Sequence, residues 1–272
     1  MTHPNNMTAW DTIECRRSCD VHHSRWADIN LATHRYADLT PIPPRFHRRF
    51  TMEIWDTELH PVDGGPYCPA RDAVSETILS HGVWEPRETA VMLSCLERFD
   101  GAMFDMGAQL GWFSLIAGLG GADVTAWECD RDNRDRLRSS AARLEVAVSI
   151  VPNRIGPDTE PLPPTKVAFA KIDLEGAERD AVRILWPSID AGLVDSMLIE
   201  VSPVFDDYYG DMVAGIMENG YEAFMMPPKR FPPYRIDTLD DLASWRLNPE
   251  GVVATVDGWH QEDVLFVRKG AL

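Results

Sequence analysis

The sequence predicts a doubly wound α/β fold, in which a mostly parallel sheet carries helices on both faces. The first indication is a short apolar run at residues 102–104, which is too brief for a helix and is typical of a buried strand. Gly107 and Gly111 follow, and residues 110–119 have the composition of an apolar helix. A strand, a glycine turn and a helix in this order form the nucleotide-binding unit of doubly wound sheets.

The rest of the chain continues this alternation. Helices are predicted before the first strand at residues 71–84 and 88–98, and after it at residues 130–144, 177–186 and 205–218. Six more strands, which bring the total to seven, are predicted at residues 123–127, 146–151, 166–172, 197–201, 221–225 and 263–267. We expect Pro187 to end the helix before it, because proline lacks an N–H. A long proline-rich stretch separates the last two strands, which we expect to pair antiparallel.

Length and composition bound the class of protein. The 272 residues allow one large domain with an elaborated end. We divide them into an N-terminal extension, residues 1–70, that lacks a sustained period and is expected to act as a lid, and a domain of residues 71–272. The net charge of −17 disfavours binding to nucleic acid or to an anionic membrane. With no long apolar run, no apolar leader and scattered cysteines, we expect a cytoplasmic protein.

Thiols and imidazoles cluster near the N-terminus. Cys15 and Cys19 are spaced for one face of a helix, and His22 and His23 come a turn later. Zinc accepts such ligands, but the usual second ligand pair is missing. We favour a capping helix that carries thiols over a metal site.

Two acidic residues are predicted at the ends of neighbouring strands. Asp105 closes the first strand and Glu128 closes the second, at an interval close to the ~20 residues expected between a glycine loop and an acid that binds ribose. A carboxylate at the second position can accept hydrogen bonds from both ribose hydroxyls. The alternative is a strand-end acid that caps a helix.

The glycine spacing argues against a dinucleotide. Met106 and Ala108 flank Gly107, so the fingerprint G-x-G-x-x-G is absent. An acid and two glycines four apart instead look like motif I of an S-adenosylmethionine (SAM) methyltransferase. SAM has no pyrophosphate, and an acid can bind its amino group. An ordinary βα turn is the alternative interpretation.

A second distinctive stretch follows the fourth strand of the predicted sheet. Lys171, Asp173, Glu175 and Glu178 crowd the carboxyl end of that strand, where ligands bind in open α/β sheets. Asp173 and Glu175 alternate in what we predict to be one extended segment, so both carboxylates are expected to point the same way. Glu175 and Glu178 have a structural alternative, in which they hold the turn and cap the next helix.

Together these residues resemble the FkbM-type methyltransferases. Motif I of that family is matched by Asp105, Gly107, Ala108, Gly111, Trp112 and Phe113, and its second motif by Lys171, Asp173, Glu175, Gly176, Ala177 and Glu178. Glu128 matches the acid after the second strand. Gln109 and Cys129 stand where the family usually has Asn and Pro, and the segment 152–165 is short for the family. The match covers residues 75–268, approximately.

The resemblance implies a Rossmann-like class I fold and SAM-dependent O-methylation of a sugar, glycan or natural-product hydroxyl. The cofactor-binding residues it implies are Asp105, Gly107, Ala108, Gln109, Gly111, Glu128, Cys129 and Asp173. Asp173 and Glu175 are candidates for the base that deprotonates the acceptor, with Lys171 as their electrostatic partner. The partner would be a small-molecule or glycan acceptor, and a homo-oligomer is compatible with the sequence.

Three alternatives stay open. A divalent metal held by Asp173, Glu175 and Glu200 is not favoured, since no histidine joins the cluster. The differences at Gln109 and Cys129 are compatible with a SAM-binding assembly protein that has lost turnover. A nicotinamide-dependent oxidoreductase is disfavoured by the missing third glycine.

Overall fold

The computed structural model describes residues 24–30, 49–55, 72–203, 208–227 and 239–271. Two early strands, β1 (Ser24–Asn30) and β2 (Arg49–Trp55), form a separate antiparallel pair. The strands of the central sheet are β3 (Ala102–Met106), β4 (Val124–Trp127), β5 (Val148–Val151), β6 (Val167–Ile172), β7 (Ser196–Val201), β8 (Tyr221–Met225) and β9 (Glu262–Arg268). The α-helices are α1 (Ala73–His81), α2 (Pro86–Arg98), α3 (Trp112–Leu119), α4 (Arg131–Leu144), α5 (Glu178–Asp190), α6 (Tyr209–Glu218) and α7 (Val252–Val256). A 3₁₀ helix covers Leu239–Trp245.

The strand order in the central sheet is β5-β4-β3-β6-β7-β9-β8. β3 pairs in parallel with β4 on one side and with β6 on the other, and parallel pairing continues outward to β5 and β7. β9 lies between β7 and β8 and runs antiparallel to both. The predicted Rossmann-like fold with a seven-stranded, mostly parallel sheet is confirmed, as is the antiparallel pairing of the last two strands.

Helices cover both faces of this sheet. One apolar core contains residues of α1 to α4 together with β1 and β2, and a second contains residues of α5, α6 and α7. Every residue of β6 is buried, as expected for a parallel strand between two helical layers. The central strand β6 is therefore closed to solvent on both faces, and its end is the part left to form a site.

Pro187 does not end the helix that precedes it. α5 continues to Asp190 with Pro187 inside it, so the predicted helix end was wrong. Leu185 before the proline and Ile189 after it are both fully buried. Burial of apolar side chains on both sides of Pro187 offsets the hydrogen bond that its missing N–H removes.

The described part of the N-terminal extension packs against α4. Ala27 and Ile29 are buried while Asp28 between them is exposed, which is the alternation of a half-buried strand. In β2 the N–H of Glu53 donates to Oγ of Ser140, at 2.7 Å. These strands belong to the same apolar core as the first four helices. A domain boundary at residue 70 stays a prediction, as does a lid role for the extension.

A second set of contacts joins β2 to α4 at Trp55. Its indole Nε1 donates to Oδ1 of Asn133 at 3.0 Å, and the guanidinium carbon of Arg136 lies 3.5 Å from the centre of its ring. Such a stacked cation and ring attract each other. Apolar packing and specific polar contacts therefore both attach the strand pair to α4.

Replacement of Ser140 by alanine should detach part of this contact. Ser140→Ala leaves the partly buried N–H of Glu53 without its acceptor, so we expect the free energy of unfolding to fall by ~1 kcal/mol. Ser139→Ala is the matched control, because Ser139 is the exposed neighbour on the same helix. Urea denaturation measures both. Equal stability of the two variants would contradict the packing of β2 on α4.

Candidate active site

Strand order places the topological switch point of the sheet between β3 and β6. The chain leaves β3 towards β4 on one side, whereas β6 leads to β7 on the other, so the direction of winding reverses between them. Open α/β sheets bind ligands at the carboxyl ends of the strands at such a switch point. Both distinctive sequence stretches follow these two strands, and the structure therefore brings them together.

The glycine turn after β3 lies directly against the chain that leaves β6. Gly107 has a φ of 96°, and a Cβ there would lie 1.7 Å from the carbonyl oxygen of Asp173. The N–H groups of Gly107 and Ala108 both donate to the carbonyl oxygen of Trp127, each at 3.0 Å. Glycine is thus required at position 107 by contact within the protein itself.

Gly111 is required for a similar reason where α3 begins. Its φ is 85°, and a Cβ there would lie 2.1 Å from Cδ1 of Leu137 in α4. Two close contacts therefore explain the two glycines. Gly107 contacts the chain that leaves β6, and Gly111 contacts α4.

Asp105 lies beneath the glycine turn with only 1% of its surface exposed. Its Oδ2 accepts hydrogen bonds from the backbone N–H of Ser114 at 3.0 Å and from the Ser114 hydroxyl at 2.5 Å. Burial raises the pKa of Asp105 to about 6, although the bonds from Ser114 oppose this rise. Asp105 thereby fastens α3 to β3, and its predicted role in binding a cofactor stays a prediction.

Glu128 joins the glycine turn to the end of β4. Its Oε2 accepts from the N–H of Gln109 at 2.7 Å, and its Oε1 accepts from the N–H of Asp130 at 2.6 Å. Burial raises the pKa of Glu128 above its ordinary value, and the two backbone donors oppose this. The side-chain amide of Gln109 donates to Oδ1 of Asp72, the residue that caps α1.

The side chain of Cys129 is exposed beside this acid. Burial of part of the thiol raises its pKa, as does the charge of Glu128. The carbonyl oxygen of Cys129 accepts a hydrogen bond from Nη1 of Arg134 at 2.5 Å. Cys129 thus follows Glu128 at the carboxyl end of β4, and its role in binding a cofactor stays a prediction.

Lys171 is the buried positive charge of the site. Its side chain is 2% exposed, and its Nζ lies 2.9 Å from Oδ2 of Asp173, 3.8 Å from Oε2 of Glu85 and 4.0 Å from Oδ1 of Asp263. Burial alone lowers the pKa of Lys171, but the surrounding carboxylates, Asp173 first, outweigh it and hold that pKa well above its ordinary value. The predicted pairing of Lys171 with Asp173 is present in the structure.

Two acids of this cluster were not singled out from the sequence as site residues. Glu85 precedes Pro86 and has a φ of 39°, a left-handed conformation that is rare for a residue before proline. Asp263 comes from the last strand. The one local signal was the Glu-Pro pair at the start of α2, whereas the approach of Asp263 is purely tertiary.

Glu200 lies beside Asp263 on the neighbouring strand. The two residues face each other in the antiparallel pair β7–β9, and Nε2 of Gln261 donates to Oε1 of Glu200 at 2.5 Å. Burial raises the pKa of Glu200 to about 8, and the charge of Asp173 adds to the rise. Burial likewise raises the pKa of Glu85 to about 8, with Lys171 opposing.

The prediction that Asp173 and Glu175 share one extended segment was wrong. β6 ends at Ile172, and Glu175 lies exposed on a bend with a φ of 54°. The left-handed residue turns the chain towards α5 and ends the alternation on which the prediction depended.

Glu178 holds this turn in place. Its carboxylate accepts from the N–H of Leu174 at 2.7 Å, from the N–H of Gly176 at 3.1 Å, and from the hydroxyl of Tyr209. Glu178 therefore has the structural role given above as the alternative, because its carboxylate holds the turn. One carboxylate oxygen each from Asp173, Glu178 and Glu200 lie within 4.8 Å of one another, so Glu178 takes the place expected of Glu175 in that trio.

Two further predictions concern the N-terminal thiols and imidazoles and the absence of a membrane span. Cys15, Cys19, His22 and His23 lie outside the described residues, so the choice between capping helix and zinc site stays a prediction. Among the helices that the structure describes, none combines the length and the apolar composition needed to span a bilayer.

Comparisons with known proteins give similarities to solved structures only, at low identity and low TM-score. No family model and no curated protein sequence matches the chain. Similar solved structures include an rRNA methylase from Streptococcus thermophilus, at 11% identity over 65% of this chain and 93% of that one, with a TM-score of 0.42. A precorrin-6y C5,15-methyltransferase from Geobacter metallireducens shares 17% identity over 68% and 91%, with a TM-score of 0.42. A TehB-like SAM-dependent methyltransferase from Corynebacterium glutamicum shares 13% over 71% and 94%, also at 0.42. Likeness at this level carries no argument about activity.

Substitution of Gly107 should destabilise the protein far more than substitution of a glycine with similar backbone but open surroundings. Gly107→Ala forces a Cβ onto the Asp173 carbonyl, so we expect a loss of ~3 kcal/mol or more in the free energy of unfolding. Gly121→Ala is the control, because Gly121 has a φ of 88° and nothing within 4 Å of its Cβ position. It should lose only ~1 kcal/mol by urea denaturation. Equal losses would contradict the close contact.

The buried Asp105 should make stability fall as pH rises. Its pKa is raised in the folded state from the ordinary 3.8 to about 6, so the folded protein binds this proton more tightly than the unfolded chain. The resulting stabilisation, ~3 kcal/mol, is complete below about pH 4 and is lost as pH rises through about 6. In Asp105→Asn the amide oxygen can still accept both bonds from Ser114. We therefore expect the stability of the wild type relative to Asp105→Asn to decline over this interval, as measured by denaturation at several pH values. A difference that does not vary with pH would contradict this.

Proposed function

We propose that the protein is a SAM-dependent methyltransferase that transfers a methyl group to a hydroxyl of a sugar, glycan or natural-product acceptor. One observation carries the proposal. The two stretches that resemble methyltransferase motifs, Asp105 to Gly111 and Lys171 to Glu178, flank the switch point between β3 and β6. The N–H of Asp173 donates to the carbonyl oxygen of Met106 at 2.9 Å, which supports their joint action at one crevice.

The residues on the glycine side fit a donor that carries a ribose and no pyrophosphate. Each carboxylate oxygen of Glu128 accepts one described backbone bond, which leaves lone pairs for ribose hydroxyls. The N–H groups of Gly107 and Ala108 are already used by Trp127 and so do not form a phosphate cradle. When bound, SAM supplies a methyl group already activated by a positively charged sulfur.

Asp173 is the residue that we assign as the base for the acceptor hydroxyl. Its side chain is 28% exposed, and Lys171 holds one of its two oxygens at 2.9 Å. The other oxygen can accept the hydroxyl proton as the acceptor oxygen forms its new bond to carbon. Lys171 stays buried and acts by fixing Asp173 and stabilising its charge. Glu175 lies on the exposed bend beyond Asp173, and we retain it as a second candidate base.

A binding protein without turnover is the second candidate function. The carboxylates of Asp105 and Glu128, both assigned to the cofactor by resemblance, already accept hydrogen bonds from the chain itself. Gln109 likewise bonds to Asp72. These contacts favour a scaffold role in which the site holds SAM, or its product, for assembly with a partner.

Calorimetry with S-adenosylhomocysteine tests the proposal. We expect the wild type to bind it, and Glu128→Gln to bind it about tenfold more weakly, because a charge-assisted acceptor for the ribose is lost. Glu218→Gln, an exposed acid at the far end of α6, should bind like the wild type. Absence of binding to the folded wild type would reject the proposal.

Mass spectrometry of acceptors incubated with SAM separates the two candidates. A gain of one CH₂ on a hydroxyl acceptor, lost in Asp173→Asn while S-adenosylhomocysteine binding persists, is expected for the enzyme. Binding without any transfer across an acceptor panel would favour the assembly protein.

A further inference from the structure

Carboxyl groups outnumber positively charged groups around Lys171. The four carboxylates of this cluster, hereafter the acidic cluster, are Glu85, Asp173, Glu200 and Asp263. They come from four separate segments, before α2, after β6, in β7 and in β9. One buried ammonium can balance one of them. Ionisation of all four together is costly unless further positive charge, such as a bound cation, balances them.

The strand register adds to this imbalance. Glu200 and Asp263 are direct partners in the antiparallel pair β7–β9, an arrangement in which like charges repel. Gln261 bonds to Oε1 of Glu200, but Oε2 of Glu200 is buried and accepts no hydrogen bond. The sheet thus holds two acids together with one open oxygen at the end of β7.

Glu85 provides a second, independent observation at the acidic cluster. Its side chain is only 9% exposed, and its Oε2 is buried without a hydrogen bond, 3.8 Å from Nζ of Lys171. A carboxylate oxygen buried without a hydrogen bond costs free energy. The left-handed backbone of Glu85 costs more still. The chain therefore holds a buried acid beside Lys171 at a cost in stability.

Three carboxylate oxygens of this region are spaced as ligands of a single ion. One oxygen each from Asp173, Glu178 and Glu200 lie within 4.8 Å of one another. Oxygens that share a Mg²⁺ or Ca²⁺ lie ~2.0–2.6 Å from it, so two ligands of one ion are separated by less than about 5 Å. Lys171 holds Oδ2 of Asp173 and leaves Oδ1 for a ligand, and Glu200 offers its open Oε2.

We propose that the acidic cluster is a binding site for one hard divalent cation of the Mg²⁺ and Mn²⁺ type. Asp173 and Glu200 are its principal ligands, Glu178 lies at its edge, and Glu85 and Asp263 supply balancing charge from the buried side. An all-oxygen set favours Mg²⁺, Ca²⁺ or Mn²⁺ over zinc, which prefers nitrogen and sulfur ligands. The proposal does not depend on the identity of any methyl donor. If the proposed function is also correct, an ion bound at Oδ1 of Asp173 occupies the oxygen assigned above to proton transfer, so the second candidate, Glu175, is then the base and the ion orients the acceptor hydroxyl.

Titration of the metal-free full-length chain with Mn²⁺, without SAM or its product, tests the site. Electron paramagnetic resonance counts the free ion. We expect saturable binding of one Mn²⁺ per chain, weakened at least about tenfold in Glu200→Gln. Glu97→Gln removes an exposed acid near the end of α2 and should bind like the wild type. Absence of saturable binding to the folded wild type, or equal affinity in Glu200→Gln, would overturn the proposal.

A second variant protects the test against a folding defect. Glu85→Gln removes the ionisable group of the buried acid Glu85 while keeping a side chain of the same size. Circular dichroism checks that both variants fold. Its Mn²⁺ affinity should fall by a smaller factor than that of Glu200→Gln. Folded Glu85→Gln and Glu200→Gln proteins that both match the wild type would overturn the proposal. The Mn²⁺ titration contains no methyl donor, so failure to bind S-adenosylhomocysteine would leave its result intact. Failure to bind Mn²⁺ would likewise leave a result for S-adenosylhomocysteine binding intact.

Discussion

Close contact between the glycine turn after β3 and the chain that leaves β6 is the constraint on which the site depends. The α-carbon of Gly107 packs against the carbonyl of Asp173, and the N–H of Asp173 bonds back to Met106. These contacts fix the ends of two parallel strands in one register. Glu128 then ties the same turn to β4, so three strand ends share a single rigid edge.

Lys171 joins separate parts of the chain by charge, as the glycine turn joins them by close contact. An ammonium buried to this degree is tolerated only with close carboxylate partners, since an unpaired buried charge costs several kcal/mol. Those partners come from the segment before α2, from the end of β6 and from β9. The same charge that steadies Asp173 therefore also holds together parts of the chain that are far apart in sequence. Four carboxyl groups thus share one buried ammonium at this position.

The sequence was sufficient wherever the signal was local. Apolar runs and glycine turns located β3, β4 and β6 to within about two residues, because strand burial and positive φ leave a direct imprint on residue type. It failed where tertiary contacts decide the outcome. Glu175 departs from the extended path because the chain turns into α5, and Glu178 takes the contacts inside that turn. Glu85 and Asp263 reach Lys171 only through packing of α2 and β9, which no spacing in the sequence records.

The position of β9 has a consequence for how the molecule is made. The last strand in the sequence occupies an interior place in the sheet, and β8, which is synthesised earlier, joins the sheet through it. During translation, β8 and α6 emerge before the strand that must separate β8 from β7. The ribosome must therefore synthesise Glu262–Arg268 before that half of the sheet can close, and the edge of β7 stays open until β9 is made.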